Sequence, residues 1–231
     1  MLSIIIPTYN EAEQIANTIL LVKQNAGEKQ YEIIVVDGGS NDETISIAKA
    51  AGAKTFISNK KGRAAQMNYG AKQAKYDVLY FLHADSIPPN NFLQYIFNAI
   101  DRGYSSGCFR LQFDYNHWFL KANAWFTKFD VNAVRFGDQS LFVTANVFNK
   151  CGGFSEDLYM MEDQEIIHRL KKFGRFIVMN NVVTTSARKY HDNGIYRMQA
   201  IFFRILFLYY MGYSQERLLK LYKRLIRKNK L

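Results

Sequence analysis

Three short apolar runs, each breaking off into a polar cluster, constrain the fold of this chain more than any other feature. Ser3–Ile6 ends in Pro7-Thr8-Tyr9-Asn10-Glu11, Glu32–Val36 in Asp37-Gly38-Gly39-Ser40-Asn41-Asp42, and Val78–Leu82 in His83-Ala84-Asp85. Unbroken apolar runs of this length mark strands buried on both faces. Between them the apolar spacing turns helical, over 12–25 through Ile15, Ile19 and Val22, then over Glu43–Ala51 and Gly62–Ala74. Ser40, Asn41 or Asp42 would cap the second of these helices, and Gly52 would stop it. Lys54–Ile57 adds a short strand. Strand alternating with helix specifies an α/β fold with a doubly wound, mainly parallel sheet. The three polar clusters then share one edge of the sheet, where open α/β sheets bind ligands. Asp85 also has a simpler reading, as a cap for a helix over Asn91–Ile100, with Pro88-Pro89 stopping the strand.

With 231 residues, 48% apolar and 22% charged, the chain suits one large globular domain or two small lobes sharing a core and is too apolar for disorder. Cys108 and Cys151 have no metal-type spacing and read as reduced structural thiols. Leu2–Ile6 opens directly as a strand, without a basic n-region or cleavage site, so the expectation is a cytoplasmic protein. The net charge of +10 calls for an anionic partner. Arg217–Leu231 holds seven Lys or Arg residues and no acid. The charge is therefore largely a C-terminal property, and a nucleic-acid-binding face is not expected.

A dinucleotide site is excluded, because Gly-x-Gly-x-x-Gly is absent and an Asp follows the second strand. Asp37 would repel a pyrophosphate set against it, whereas a carboxylate accepts hydrogen bonds from a base N–H or ribose hydroxyls. Ile5-Ile6-Pro7-Thr8-Tyr9-Asn10-Glu11, Val35-Val36-Asp37-Gly38-Gly39-Ser40-x-Asp42-x-Thr44 and Phe81-Leu82-His83-Ala84-Asp85 closely resemble the family 2 glycosyltransferases of the GT-A fold. Gly62-Arg63-Ala64-x-Gln66-Met67-Asn68-x-Gly70-Ala71, Gly152-Gly153-Phe154 and Met161-Glu162-Asp163 extend the likeness in consistent order. The resemblance implies a GT-A domain over residues 1–195, with a nucleotide-sugar half (1–107) and an acceptor and base half (108–195). Residues 196–231 would add an apolar and a basic amphipathic helix.

The resemblance also implies a reaction. A hexose-type sugar would leave a nucleotide-diphosphate donor, a UDP-sugar foremost, for the hydroxyl of a sugar or lipid-linked acceptor, with inversion. The departing nucleoside diphosphate gathers negative charge, which Mn²⁺ or Mg²⁺ would neutralise. The family's Asp-x-Asp motif stands here as His83-Ala84-Asp85, so Asp85 takes the metal role. His83 contacts ribose or a metal-bound water, ligates the metal, or is structural. Pro7, Tyr9, Glu11 and Asp37 would form the base and ribose pocket, with Tyr9 stacking and Asp37 accepting from a uracil-like N–H. Glu11 would also favour a helix N-terminus on charge alone. Arg63 at a helix start suits a phosphate, or is merely solvated. Gln66 and Asn68 hold either loops or sugar hydroxyls.

Asp163 is the implied general base. The spacing of Ile166, Ile167 and Leu170 puts Glu162-Asp163 at the start of a half-buried helix, where capping alone would also account for an acid. Asp138 precedes a strand-like Ser140–Thr144, in the segment that would shape the acceptor side, and Gly152 and Gly153 read as turn residues. Arg188 would bring positive charge to the diphosphate. His191 would complete a metal shell or lie on the surface. The stretch Ser186–His191 departs from the Gln-x-x-Arg-Trp motif of processive polysaccharide synthases, which argues against processive synthesis.

Aromatics crowd the span from Phe113 to Phe136, as core or as an acceptor or lipid surface. Met198–Met211 is apolar but too short for the roughly 20 residues that span a bilayer. Leu218, Leu219, Leu221, Tyr222, Leu225 and Ile226 form one face of a basic helix, suited to an anionic membrane surface or to packing on the domain. The rival to an enzyme is a nucleotide-sugar-binding or membrane scaffold that keeps the pocket without turnover.

Overall fold

The three apolar runs lie side by side in one sheet of the computed structural model, which describes residues 1–131, 135 and 137–227. The first half contains β1 (Leu2–Thr8), α1 (Ala12–Asn25), β2 (Tyr31–Asp37), α2 (Thr44–Ala50), β3 (Lys54–Ile57), α3 (Arg63–Gln73) and β4 (Val78–Phe81). Then come β5 (Ser86–Ile87), α4 (Phe92–Asp101), β6 (Ser106–Phe113), α5 (Trp118–Phe126), a 3-10 turn at Gly137–Gln139 and β7 (Leu141–Thr144). The rest is α6 (Ala145–Lys150), α7 (Glu162–Leu170), β8 (Phe176–Thr185), α8 (Arg188–Asn193), α9 (Ile195–Tyr210) and α10 (Gln215–Leu225).

The sheet order is β3-β2-β1-β4-β7-β6-β8-β5. Strands β3, β2, β1 and β4 are parallel, as are β6 and β8, while β7 and β5 run against their neighbours. The expected mainly parallel α/β architecture is present.

Both faces of β1 are covered, as its unbroken apolar run requires. Ile4 and Ile6 share a core with Val35, Tyr80 and Leu82 and with Ile15, Ile19 and Val22 of α1. Ile5 belongs to the opposite core, with Val36, Phe81, Met67 of α3 and Ile166 of α7. Helix α3 lies directly on the strands because residue 70 is glycine. A Cβ there would stand 2.5 Å from Ile5 Cγ2 and 3.0 Å from Val36 Cγ2.

The N-cap of α2 is Glu43, without a side-chain cap bond, and not Ser40, Asn41 or Asp42 as expected, although Asp42 accepts the Thr44 N–H at 3.1 Å. Asp85 does not cap α4, which corrects the simpler reading of that residue. After Asp85 the chain pairs as β5 with Thr184 and Thr185 of β8, and α4 starts only after Asn91, left-handed at φ 57°.

Met198, Ile201 and Ile205 of α9 and Leu218 and Tyr222 of α10 lie in the same core as Ile4. The apolar side of the basic helix is thus buried against the domain, which decides between its two expected roles for that side. Residues 228–231, the end of the basic stretch, and Phe136 lie outside the described residues. Among the described residues no helix is long and apolar enough to cross a membrane. Both cysteines are buried and free.

Candidate active site

The order β2-β1-β4 carries the ends of the three runs to one edge, and hydrogen bonds stitch their loops together. Gly38 N–H donates to Thr8 O, Asn10 N–H to Ser40 Oγ, and Glu11 N–H to Thr44 Oγ1. Gln66 of α3 donates from its amide to Thr8 O at 2.7 Å and Val36 O at 2.8 Å, tying β1 to β2 where they part into loops. Asn68 grips Phe154 on both sides, donating to its carbonyl and accepting its N–H, each at 2.9 Å. Both amides therefore hold loops, the first of their two expected roles.

Asp37 is fully buried. One of its oxygens accepts the Gly39 and Ser40 N–H groups, and the other accepts the Ser40 and Thr8 hydroxyls. These donors fill the roughly four lone-pair positions of a carboxylate. A base N–H would have to compete with them, and what Asp37 does in this structure is build the loop. Pro7 sits where its missing N–H does no harm, because pairing of β1 with β4 stops at Ile5. Tyr9 is half-buried beside it. Glu11 meets Arg188 at 3.2 Å, so the two halves of the chain touch at this edge.

The polar centre lies next to this. His83 Nδ1 is 2.6 Å from Asp138 Oδ1, and His83 Nε2 is 3.4 Å from Arg63 Nη1. Arg63, the first residue of α3, reaches Glu162 Oε1 with Nε at 2.5 Å and brings Nη2 to 4.0 Å from Asp163 Oδ2. One ligand atom from each of His83, Asp85 and Asp138 falls within 4.8 Å of the others. Gly137 leaves the room for this, since a Cβ there would run into the Asp163 carboxylate. An imidazole and two carboxylates are a hard oxygen and nitrogen donor set, which fits Mn²⁺ or Mg²⁺ better than a thiolate-seeking ion.

The electrostatics follow from burial and from the pairing. Burial first, and the Glu162 charge second, push Asp163 up to about 6, against the pull of Arg63 and His83. Burial opposes the charge of Arg63, but Glu162, Asp163 and Asp138 outweigh it and hold the guanidinium protonated. Burial would likewise raise Asp138, yet the hydrogen bond and charge of His83, with Lys189 and Arg63, hold it well below the usual carboxylate range. In His83 burial and Arg63 favour the neutral ring, and the hydrogen bond and charge of Asp138 overcome them and raise its pKa. Glu162 is fully buried; Arg63 pairs with one of its oxygens, and the other has no hydrogen-bond partner among the described residues. Helix α7 has no side-chain cap, so capping does not explain Asp163.

Asp138 as a neighbour of His83 is what the sequence reading missed. It meets His83 because β7 runs antiparallel to β4, with Leu141 opposite Phe81, so residues before β7 return to the edge that β4 leaves. Arg188 is brought in by the pairing of β5 with β8, where Ser186 N–H donates to Asp85 O at 3.1 Å. His191 is not drawn in. It is exposed, with its ring edge-on to Tyr115 at 4.2 Å, and among the described residues the group formed by His83, Asp85 and Asp138 does not include it.

Residues 3–159 match the family model described as Glycosyl transferase family 2. The chain belongs to that family. This family 2 chain is 33% identical over 90 residues to the uncharacterized glycosyltransferase YfnE of Bacillus subtilis, a match covering 37% of this chain and 23% of YfnE. It is 34% identical over 99 residues to the glycosyltransferase AglE of Haloferax volcanii, covering 40% of this chain and 33% of AglE. The chain spans about a quarter to a third of the length of these curated relatives. Among solved structures it resembles the mannosyltransferase PcManGT from Pyrobaculum calidifontis, in complex with GDP-Man and Mn²⁺. The TM-score is 0.72 at 16% identity, over 92% of this chain and 64% of the other. TarS of S. aureus in complex with UDP-GlcNAc gives a TM-score of 0.67 at 18% identity, over 80% of this chain and 58% of the other. At such identities the likeness establishes the GT-A fold of the family 2 chain.

Proposed function

We propose that the family 2 chain is an inverting glycosyltransferase that moves a sugar from a nucleotide-diphosphate donor to a hydroxyl acceptor. One observation carries this reading. A partly buried carboxylate with a raised pKa, Asp163, faces a cluster of three groups suited to a divalent cation, His83, Asp85 and Asp138, with Arg63 between them. Asp163 takes the proton of the acceptor hydroxyl as that oxygen forms its bond to the anomeric carbon. The bond from the anomeric carbon to the diphosphate oxygen breaks on the opposite face, which inverts the configuration. A pKa near the working pH suits a general base.

Mn²⁺ or Mg²⁺, held by Asp85 and Asp138 with neutral His83, would supply Lewis-acid stabilisation of the departing diphosphate. Arg63 and Arg188 add fixed positive charge on either side of that leaving group. Pro7, Tyr9 and Glu11 line the base and ribose side, on loops that Asp37 and Gln66 hold in place. The solved complexes of relatives with GDP-Man and Mn²⁺ and with UDP-GlcNAc support a donor of this class. The acceptor is a sugar or lipid-linked hydroxyl. A scaffold without turnover would leave unexplained why Glu162 and Asp163 are kept together at a buried site.

A thermal-shift panel of UDP-, GDP- and dTDP-sugars, each with and without Mn²⁺ or Mg²⁺, tests the proposal. A donor present at a hundred times its Kd stabilises by about 2.7 kcal/mol. One donor is expected to do so only with the metal, and no metal-dependent shift from any of them overturns the reading.

A further inference from the structure

Away from the active site, two helices expose aromatics that the core does not use. On α5, Trp118, Trp125 and Phe126 face outward, Trp118 with 66% of its surface exposed. On α9, Tyr196, Phe203, Phe207 and Tyr210 recur at helical spacing on the outer side, Phe207 with 63% exposed, while Met198, Ile201 and Ile205 enter the core. The two stripes join where the Tyr196 ring meets Phe119 at 5.0 Å and Trp118 at 6.4 Å. Isolated exposed aromatics need no explanation, but a joined stripe along two helices does.

Charge indicates what covers it. Neither α5 nor α9 contains an acid. Lys121 lies on the exposed side of α5, Lys128 sits 3.5 Å over the Trp125 ring just after it, and Arg197 and Arg204 flank the stripe of α9. Helix α10 packs alongside through Tyr222, stacked on Phe202 of α9, with Lys220, Lys223 and Arg224 outward. A second copy of the chain would set cations against cations, with no acid on either helix to pair with them. A surface that takes aromatic rings at its apolar boundary and meets cations with phosphate satisfies both features.

We infer that the joined outer faces of α5 and α9 are a docking surface for an anionic lipid bilayer, on which the chain lies without crossing it. The inference stands on this surface and not on the transfer chemistry, so vesicle binding and donor binding fail independently.

The two tryptophans of the chain, Trp118 and Trp125, both lie on the stripe and report on it directly. The experiment is co-sedimentation of the full chain with phosphatidylcholine vesicles, with and without phosphatidylglycerol, at low and high salt, alongside tryptophan emission. Sedimentation with the anionic vesicles, a blue shift of emission and loss of both at high salt are expected. Phe203→Ser with Phe207→Ser should weaken partitioning by about tenfold for each ring that the interface buries, with the melting temperature unchanged. Arg204→Glu should weaken it without removing any aromatic. The inference is overturned by failure to sediment with anionic vesicles, or by sedimentation with unshifted emission. Parental binding by the double Phe variant also overturns it, as does a dimer in solution whose tryptophan emission is already blue-shifted before lipid is added.

Discussion

Replacing Asp163 with Asn separates the chemistry from the fold. Burial and Glu162 raise the Asp163 pKa from 3.8 to about 6. Two units are worth roughly 3 kcal/mol. A carboxylate with a raised folded pKa favours the fold only while protonated, so its contribution is complete below about pH 3.8 and is lost as pH rises through about 6. At neutral pH the ionised Asp163 therefore works against the fold, and Asp163→Asn relieves it. Arg63 loses a charge 4.0 Å away at the same time, which leaves an expected net gain of about 1–2 kcal/mol, or roughly 2–8 °C in melting temperature for a chain of this size. Near pH 3.5 the parent and the variant should melt together. Turnover moves the other way, falling about 10²–10⁴-fold without a proton acceptor. Calorimetry in EDTA at the two pH values and an assay of nucleoside diphosphate release check both arms. A variant that melts below the parent at neutral pH, or one that keeps parental turnover, rules out Asp163 as a raised-pKa general base.

Glu162→Gln keeps the shape beside Arg63 but removes the charge that pushes Asp163 up. The acid limb of the pH–rate profile should therefore move to lower pH, while loss of the ion pair between buried Glu162 and partly exposed Arg63 costs about 1–3 kcal/mol in a denaturant melt. Gly70→Ala puts a Cβ 2.5 Å from Ile5 Cγ2 and should destabilise by about 1–3 kcal/mol, read by the same melt, with donor affinity following stability. Gln66→Ala removes the two bonds that tie β1 to β2 and should cost about 1–3 kcal/mol. It should also raise the KM for donor more than it lowers kcat, because the loops it frees carry the pocket and not the base.

The strand half of the fold was legible because buried parallel strands leave a plain trace. Ile4, Ile5 and Ile6 have no alternation to misread, and each run ends in residues that only a sheet edge tolerates. The candidate site was legible only in pieces. His83, Asp85 and Asp163 were marked by motif, but the partnership of His83 with Asp138 depends on β7 running antiparallel to β4, and no local pattern specifies that pairing. The same holds for Arg188, which arrives because β5 pairs with β8. Asp85 was ambiguous for a different reason: an acid a few residues before a helical stretch looks like a cap, and only the diversion of Ser86 and Ile87 into β5 removes that role. The basic helix α10 posed a choice that composition could not make, because an apolar stripe reads the same against a domain or a membrane. Packing of Leu218 and Tyr222 into the core made it.

On the proposed reading His83, Asp85 and Asp138, drawn from both halves of the chain, form one cation site for the leaving diphosphate. Calorimetric titration of Mn²⁺ into the chain, with and without UDP or GDP, tests it most directly. One ion per chain is expected, bound tightly only with the nucleotide present and lost in both Asp85→Asn and Asp138→Asn. Nucleotide-dependent Mn²⁺ binding that survives both substitutions would contradict it.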